Sequence, residues 1–594
     1  MERRDVLKGM AGGVGALGVT GALGSIEGCT TSGAAITYPL TPAPPGSPNI
    51  IMIMVDQMRF PKHFPVGINT AEEFLQAYMP NVYSLWTRGV PFSGHHTAAQ
   101  ACTPARNTLV TGLHARQTYM LNTRIIDNDL SLQTDFPTFG KLLRQSGYRT
   151  PWIGKWHLSP VASTSVLDKY GFEGFTSPDP VGRPDGQIQD PKIADQAIGF
   201  LGTQTASSQP FCATVSFVNP HDKQFFWALL DVPLLQSKGG ATCLFNRLGV
   251  AGDTTSQSSY QDAHIPSYGY PVLPENWESA AQLIANKPYQ QFVARETFDG
   301  LFGTSISDNP ADTDFTKVAS PFFANDKVSA PYSWWARGLD MYTKAMVDVD
   351  QQVGRVVAAI PPEIADNTVI VFTADHGEYG GSHGMNGKAG SFYDEAVRIP
   401  LIVVDPRPGH TTNLGVRRTQ LTSSLDTLPL LVSIAQGRSD WRTGILGDLY
   451  GGAVDLTAML TNASAPGRSH VLSMSDEFFQ FDVPNSGSPF MVGLRTADLK
   501  LNTYWPSLST QGAPTEVEFY DLTTPGGEAE LDNTPGDPRV AAMLDQLVNE
   551  FVPLEIQKPL PSVYSNSVAA AKNQYDFNRG LWHNISAGIV TLRC

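Results

Sequence analysis

The chain has 594 residues, of which 16% are charged, and a formal net charge of −15. That length accommodates one large α/β core with a smaller unit beside it. The acidic balance argues against a nucleic-acid partner, which usually meets a basic face, yet it leaves room for a local basic pocket that takes a small anion.

Arg3-Arg4-Asp5-Val6-Leu7-Lys8 forms a twin-arginine pattern ahead of a Gly/Ala/Val/Leu run from Gly9 to Gly24. The run is short and glycine-rich for a membrane span, so residues 1–30 read as a signal for the twin-arginine export machinery. This predicts a bacterial protein exported folded to the periplasm or cell surface. Ile26-Glu27-Gly28-Cys29 is similar to a lipobox, although Glu27 departs from it; a lipid on Cys29 would be the membrane contact. Residues 31–47 read as a Pro/Gly-rich tether. Five cysteines, at 29, 102, 212, 243 and 594, are too few for a disulfide scaffold in a chain of this size. Pairing of Cys212 with Cys243 in an oxidising compartment stays open.

From residue 48 the sequence shows apolar runs that stop abruptly at polar residues. Asn49–Val55 ends at Asp56-Gln57, Thr150–Ile153 at Gly154-Lys155-Trp156-His157, Phe211–Val218 at Asn219-Pro220-His221, and Thr368–Thr373 at Asp375-His376; Arg398–Val404 is a further run. Unbroken runs of this kind fit strands covered on both faces. Helical stretches between them, at 137–146 and 334–360, predict an α/β fold with a large, mostly parallel sheet flanked by helices. In such sheets ligands meet the carboxyl ends of the strands, where these polar residues fall.

Residues 222–330 show little periodicity and many aromatics, and read as a semi-ordered insertion near the site mouth of a catalytic domain spanning 48–440. Residues 441–594 change texture. Short, partly alternating runs at 470–474, 491–496, 499–504 and 516–522 predict a small antiparallel sheet, with an amphipathic helix at 539–551.

Cys102-Thr103-Pro104-Ala105-Arg106 is followed by Thr111-Gly112. Pro104 suits a first helical turn and Gly112 its end. On that helix Arg106 lies one turn beyond Cys102, and the helix start offers unpaired N–H groups to an anion. Taken alone, the bland alternative is a helix start with a buried thiol.

The motif resembles the signature of the formylglycine-dependent sulfatases of the alkaline phosphatase superfamily, and further blocks follow in that family's order. Asp56-Gln57 resembles its first metal pair, Gly154–His157 and Asn219–His221 its next two blocks, and Tyr342, Ala345, Asp350, Val353 and Gly354 its long helix. Asp375-His376-Gly377-Glu378 resembles the second metal pair, Lys388, Tyr393, Glu395, Arg398 and Pro400 the closing block, and Phe519–Leu522 the last strand. The resemblance implies an alkaline-phosphatase-like fold and a sulfuric ester hydrolase that frees sulfate from an alcohol or phenol. It also implies a maturation enzyme that converts Cys102 to formylglycine, whose hydrate attacks sulfur and later expels sulfate. One divalent metal ion, calcium before manganese or zinc, is then held by Asp56, Gln57, Asp375, His376 and the residue at 102. Arg106 would stabilise the hydrate and Lys155 and Lys388 would bind sulfate oxygens. His221 would protonate the leaving group, and His157 would assist deprotonation of the hydrate.

Gln57 and His376 stand where many sulfatases carry Asp and Asn. This pair resembles the branch of choline sulfatases and phosphonate monoester hydrolases, so phosphonate monoester or phosphodiester hydrolysis is the rival reading. A noncatalytic protein that binds sulfated glycans is disfavoured, because the cysteine, the metal positions and the basic residues are all retained.

Overall fold

A computed structural model describes residues 36–124, 130–161, 163, 165–174, 186–225, 265–302, 304–319, 327–477, 490–510 and 512–589. The twin-arginine segment, Cys29, Cys243 and Cys594 lie outside the described residues. Among those described, no helix is long and apolar enough to cross a membrane.

The central sheet comprises β1 (Asn49–Asp56), β2 (Val90–Phe92), β3 (Trp152–Gly154), β4 (Cys212–Pro220), β5 (Thr368–Ala374) and β6 (Leu401–Val404), in the order β2-β6-β5-β1-β4-β3. β1 pairs in parallel with β4 and β5, and β3 in parallel with β4. β6 runs antiparallel to both β5 and β2. The expected mostly parallel sheet is therefore present, with an antiparallel margin.

Helices clothe both faces: α1 (Cys102–Thr111), α2 (Phe139–Gln145), α3 (Gly186–Leu201), α4 (Trp334–Ala358) and α5 (Thr427–Gln436). Successive side chains of a strand point to opposite faces, and β1 shows the consequence. Ile50, Met52 and Met54 enter one core with Leu109 of α1, Leu142 of α2 and Leu431 of α5. Ile51, Ile53 and Val55 enter the other with Ile193 of α3 and Val349 and Val353 of α4. With no solvent face, β1 has no alternation to show. Each such side chain contributes about 1.5–3 kcal/mol by leaving water, and Ile53→Ala would cost about 2–5 kcal/mol.

The second sheet is an antiparallel meander of β7 (Val471–Asp476), β8 (Phe490–Arg495), β9 (Leu499–Trp505) and β10 (Glu516–Asp521). The expected amphipathic helix begins at Arg539 and its coil continues to Ile556. A further helix, α6 (Ser565–Ile589), was not legible in the sequence. It buries only a thin line, including Ala571 and Tyr575, among polar neighbours.

The described part of the 222–330 insertion carries more regular structure than its sequence suggests. Its described part holds helices at Ala280–Asn286 and Tyr289–Phe302 and a three-stranded sheet of Thr304–Ile306, Thr316–Val318 and Lys327–Ala330. Leu283 and Val293 pack with Tyr393, Met491, Tyr504 and Tyr520. Its apolar residues are spent on contacts with the second sheet, so little periodicity survives in the sequence. Residues 226–264 lie outside the described part. The Pro-rich stretch before β1 lies along the body of the protein: Tyr38 is buried and its hydroxyl meets that of Tyr564 at 3.0 Å.

Candidate active site

The carboxyl ends of β1 and β5 lie side by side, because these strands pair in register from Asn49–Thr368 to Val55–Ala374. That register sets Asp56 beside Asp375. Helix α1 starts at Cys102 after the extended residue Ala101 and stops at Gly112, whose left-handed φ of 64° ends it. Its first turn is directed at the two carboxylates.

Arg106 joins the three elements. Its Nη2 donates to Asp56 Oδ2 at 2.8 Å, its Nε to Asp375 Oδ2 at 2.9 Å, and its Nη1 to the Lys155 carbonyl at 2.8 Å and Ser216 Oγ at 3.1 Å. The guanidinium therefore bridges the two strand-end acids, one turn beneath Cys102. The planar fork of arginine suits this better than a lysine ammonium.

The outward oxygens and nitrogens converge on Cys102. Its Sγ lies 3.7 Å from Asp56 Oδ1, 3.1 Å from His376 Nε2 and 3.4 Å from Lys388 Nζ. His376 Nε2 is also 3.7 Å from both Asp56 Oδ1 and Asp375 Oδ1. One donor atom each from Asp56, Cys102, Asp375 and His376 falls within 4.8 Å of the others. His376 Nδ1 lies 3.0 Å from the Gly377 carbonyl. Donating its proton there leaves the Nε2 lone pair facing the cluster, the tautomer a metal requires.

Gln57 is held as firmly. Its backbone sits in the left-handed region at φ 71°, a strained conformation for a residue with a side chain. Tyr342 of α4 fixes this turn by donating from its hydroxyl to the Gln57 carbonyl at 2.7 Å. Gln57 Nε2 donates to Glu378 Oε2, and Gln57 Oε1 accepts from Lys388 Nζ at 2.7 Å. The amide is thereby oriented with its oxygen toward the Cys102 side, so these residues fit a hard or borderline divalent cation.

Lys155 Nζ lies 2.7 Å from Asp56 Oδ2. It follows Gly154, where φ is 103° and a Cβ would fall 2.0 Å from the Ser216 carbonyl oxygen, so only glycine brings this strand end so close to β4. His157 Nε2 is 2.8 Å from the Arg124 carbonyl and its Nδ1 is buried without a partner. His221 follows β4 directly and is buried. Burial works to raise the Asp56 carboxyl, but Lys155, His221, Arg106 and His376 together hold it well below the usual carboxylate range. Burial first, and then Lys155, push His221 well below the usual imidazole value.

All the residues read from the sequence as site candidates thus lie at one end of the central sheet. Cys102, Arg106, Lys155, Lys388 and the metal-type donors touch through shared partners. The guanidinium of Arg106 contacts the acids, whereas the sequence suggested a place beside the cysteine and a role in stabilising the hydrate there. Supporting residues had been given no role. Glu378 orients Gln57 and is itself held by Lys223 Nζ at 2.7 Å and by the N–H groups of Gly380 and Gly387. Gln224 Oε1 accepts from Lys388 at 3.2 Å. The nearness of Glu378 to Asp375-His376, and of Lys223 to His221, was the available signal.

The chain aligns with a choline-sulfatase of Rhizobium meliloti at 26% identity over 434 residues, covering 66% of this chain and 68% of the relative. With the uncharacterized sulfatase YidJ of Escherichia coli it is 25% identical over 385 residues; that alignment covers 60% of this chain and spans 62% of the relative's length. In fold it is similar to the solved structure of BT1596, a 2-O GAG sulfatase, with a TM-score of 0.59 and 20% identity, covering 89% of this chain and 94% of the other. The family model described as Sulfatase matches residues 48–437, well over half of the chain, and takes in every residue of the Cys102 cluster: this protein belongs to the sulfatase family.

Proposed function

We propose that the protein hydrolyses a sulfate monoester to inorganic sulfate and an alcohol or phenol. The observation that carries this reading is the convergence of Asp56, Asp375, His376 and Lys388 on Cys102 at the start of α1. The cysteine thiol stands in for the oxygens of a formylglycine hydrate, which supplies both the nucleophile and the hydroxyl whose deprotonation releases sulfate. A divalent cation, calcium first and manganese or zinc next, would be held by Asp56, Gln57, Asp375, His376 and residue 102, and would supply Lewis-acid stabilisation of charge on sulfate.

Around that centre the chain's own residues have separable tasks. Lys155 and Lys388 hold sulfate oxygens. His221 delivers a proton to the leaving oxygen, and His157 takes one from residue 102. Arg106 acts through the acids it bridges, fixing the direction of their outer oxygens. The test is mass spectrometry of the Cys102 peptide from protein made with a maturation enzyme, beside turnover of an aryl sulfate. A plain Cys102 thiol in fully active protein would overturn the reading.

A second reading, hydrolysis of phosphonate monoesters or phosphodiesters, is favoured by one feature: Gln57 and His376 are neutral donors. A less negative donor set leaves more positive charge on the cation, which favours more highly charged transition states. Gln57→Asp with His376→Asn should move the ratio of kcat/KM toward aryl sulfate and away from aryl phosphonate. An unchanged ratio removes this reading's basis. We also place the mature protein outside the cytoplasm, on the strength of Arg3-Arg4 and the weakly apolar run after them. Replacing both arginines with lysine should retain precursor inside the cell, and normal processing of that variant would refute export by this route.

A further inference from the structure

His221 stands just past the end of β4, and a buried acid outside the Cys102 cluster holds that strand end. Regular pairing of β4 with β3 ends where Ser216 faces Gly154. Its pairing with β1 runs to Ser216 opposite Met54, shifts register, and resumes only where Pro220 faces Asp56. The N–H groups of Val218 and Asn219 fall inside that irregular stretch. Asp190 of α3 collects both: its Oδ1 accepts from Val218 at 2.7 Å and its Oδ2 from Asn219 at 3.0 Å.

The strand end holds the helix in return. Asp222, the residue after His221, accepts at Oδ2 from the N–H groups of Gly186 at 2.9 Å and Gln187 at 3.3 Å, at the start of α3. Gly186 lets the two elements meet, since a Cβ there would fall 2.6 Å from Asn219 Cγ. His221 is therefore flanked by anchored residues, Asn219 on the Asp190 carboxylate and Asp222 on the first N–H groups of the helix. After burial, the groups that act on its ring are Lys155, Asp56, Lys388 and His376. A shift of this short stretch thus moves the imidazole relative to the site.

The helix needs no buried acid to stay on the sheet. Ile193, Ala194 and Ala197 of α3 already pack in one core with Val215 and Phe217 of β4. Asp190 is buried, and burial pushes its carboxyl up to about 7, against the pull of the two N–H groups. The charges that act on it most, Asp348 and Asp56, share its sign. Such an acid works against the fold. What it supplies is a pair of acceptor oxygens, which neither an amide nor a hydroxyl offers.

We propose that Asp190 is a positioning residue for His221, fixing the end of β4 so that the imidazole meets the leaving oxygen of the ester. The inference rests on the sulfatase reading, in which the S–O bond breaks with its electron pair on that oxygen and the His221 proton neutralises it. Esters of poor leaving groups, such as alkyl alcohols, need that proton, whereas a nitrophenolate leaves without it. A misplaced His221 must cost the first class more than the second, while a merely loosened fold costs both alike.

The test uses the mature, metal-loaded full chain with an alkyl sulfate and nitrophenyl sulfate. Asp190→Asn leaves one acceptor for two N–H groups. It should lower kcat on the alkyl ester by about tenfold or more and on the nitrophenyl ester by about threefold or less, with KM for both within about threefold. In a His221→Ala background the same substitution should add about threefold or less on either ester. Gly186→Ala, which keeps Asp190 and presses on Asn219 instead, should show the same bias against the alkyl ester at lower amplitude. It carries the test where Asp190→Asn is recovered unfolded. Equal losses on both esters, no loss on either, or losses that multiply in full with those of His221→Ala would overturn the proposal and leave Asp190 a structural brace. If no sulfate is turned over, the same pair built as phosphonate monoesters is measured. The bias in Asp190→Asn there would uphold this residue's role while the sulfatase reading falls, and turnover of neither class would overturn both.

Discussion

Among the described residues, two buried clusters combine histidine with carboxylates, and they are organised in opposite ways. His383, Glu395 and Glu530 bring donor atoms within 4.8 Å of one another, as do Asp56, Cys102, Asp375 and His376. In the former, each acid meets a lysine: Lys62 lies 2.8 Å from Glu395, Lys500 2.5 Å from Glu530, and Lys287 3.5 Å from the neighbouring Glu278. His63, at 3.0 Å, and Asn276, at 2.9 Å, also use Glu395 Oε1, and His383 Nδ1 is 2.7 Å from Glu278 Oε2. This cluster is a self-neutralised brace between distant chain segments. In the Cys102 cluster Arg106 takes the far oxygens, Asp56 Oδ2 and Asp375 Oδ2, and Lys155 also meets Asp56 Oδ2, so both Oδ1 atoms face His376 and Asp56 Oδ1 also faces the thiol. The difference teaches that the placement of the cations, more than the number of acids, separates a structural network from a reactive site.

The largest effect should come from Cys102→Ala, which removes the point on which the outward donors converge. Multiple-turnover activity should fall by roughly a thousandfold or more, while thermal unfolding stays close to that of the unaltered protein. Comparable losses of both would erase the distinction between the two clusters.

Glu395→Gln should show the reverse pattern. Removing the buried carboxylate from half-buried Lys62, and from His63 and Asn276, should cost about 1.5–3 kcal/mol of stability, read by denaturant unfolding, with bound metal per chain unchanged. The pH dependence follows from the cations. Burial works to raise the Glu395 carboxyl, but Lys62, His63 and His383 hold it well below the usual value. A depressed carboxylate contributes stability above its unfolded pKa and loses it as pH falls through the folded one. The gap between the two proteins should therefore close on acidification, and a gap that widens would contradict the brace.

A smaller effect is expected where the site is only oriented. Glu378→Gln loosens the Gln57 amide and should weaken metal binding by about 10–100-fold, measured by calorimetric titration of calcium and manganese. Unchanged affinity would mean that the Gln57 oxygen is not set by Glu378. The smallest effect belongs to Tyr342→Phe, which deletes the hydroxyl that donates to the Gln57 carbonyl and accepts from the Arg59 N–H, and should cost about 1–2 kcal/mol of stability. A loss several times larger would show that this turn is held mainly by that hydroxyl.

The sequence by itself determined the parts whose cause is local. Strands covered on both faces are apolar along most of their length, so β1, β4 and β5 announce themselves and their carboxyl ends mark the site. Pro104 and Gly112 likewise bound the helix that carries Cys102, since one suits its first turn and the other its left-handed end. Tertiary structure alone decided where long side chains finish. Arg106 reaches Asp56 and Asp375 across separations of 50 and 269 residues, and Gln57 meets Glu378 across 321. The helices of the insertion and α6 stayed hidden because their few apolar residues answer to distant partners. Glu477 meets Thr123 only because β7 is laid beside Ala98 and Leu121. Local pattern records which face of an element is dry, whereas the pairing of charges depends on which elements the fold brings together, and no short stretch of sequence contains that information.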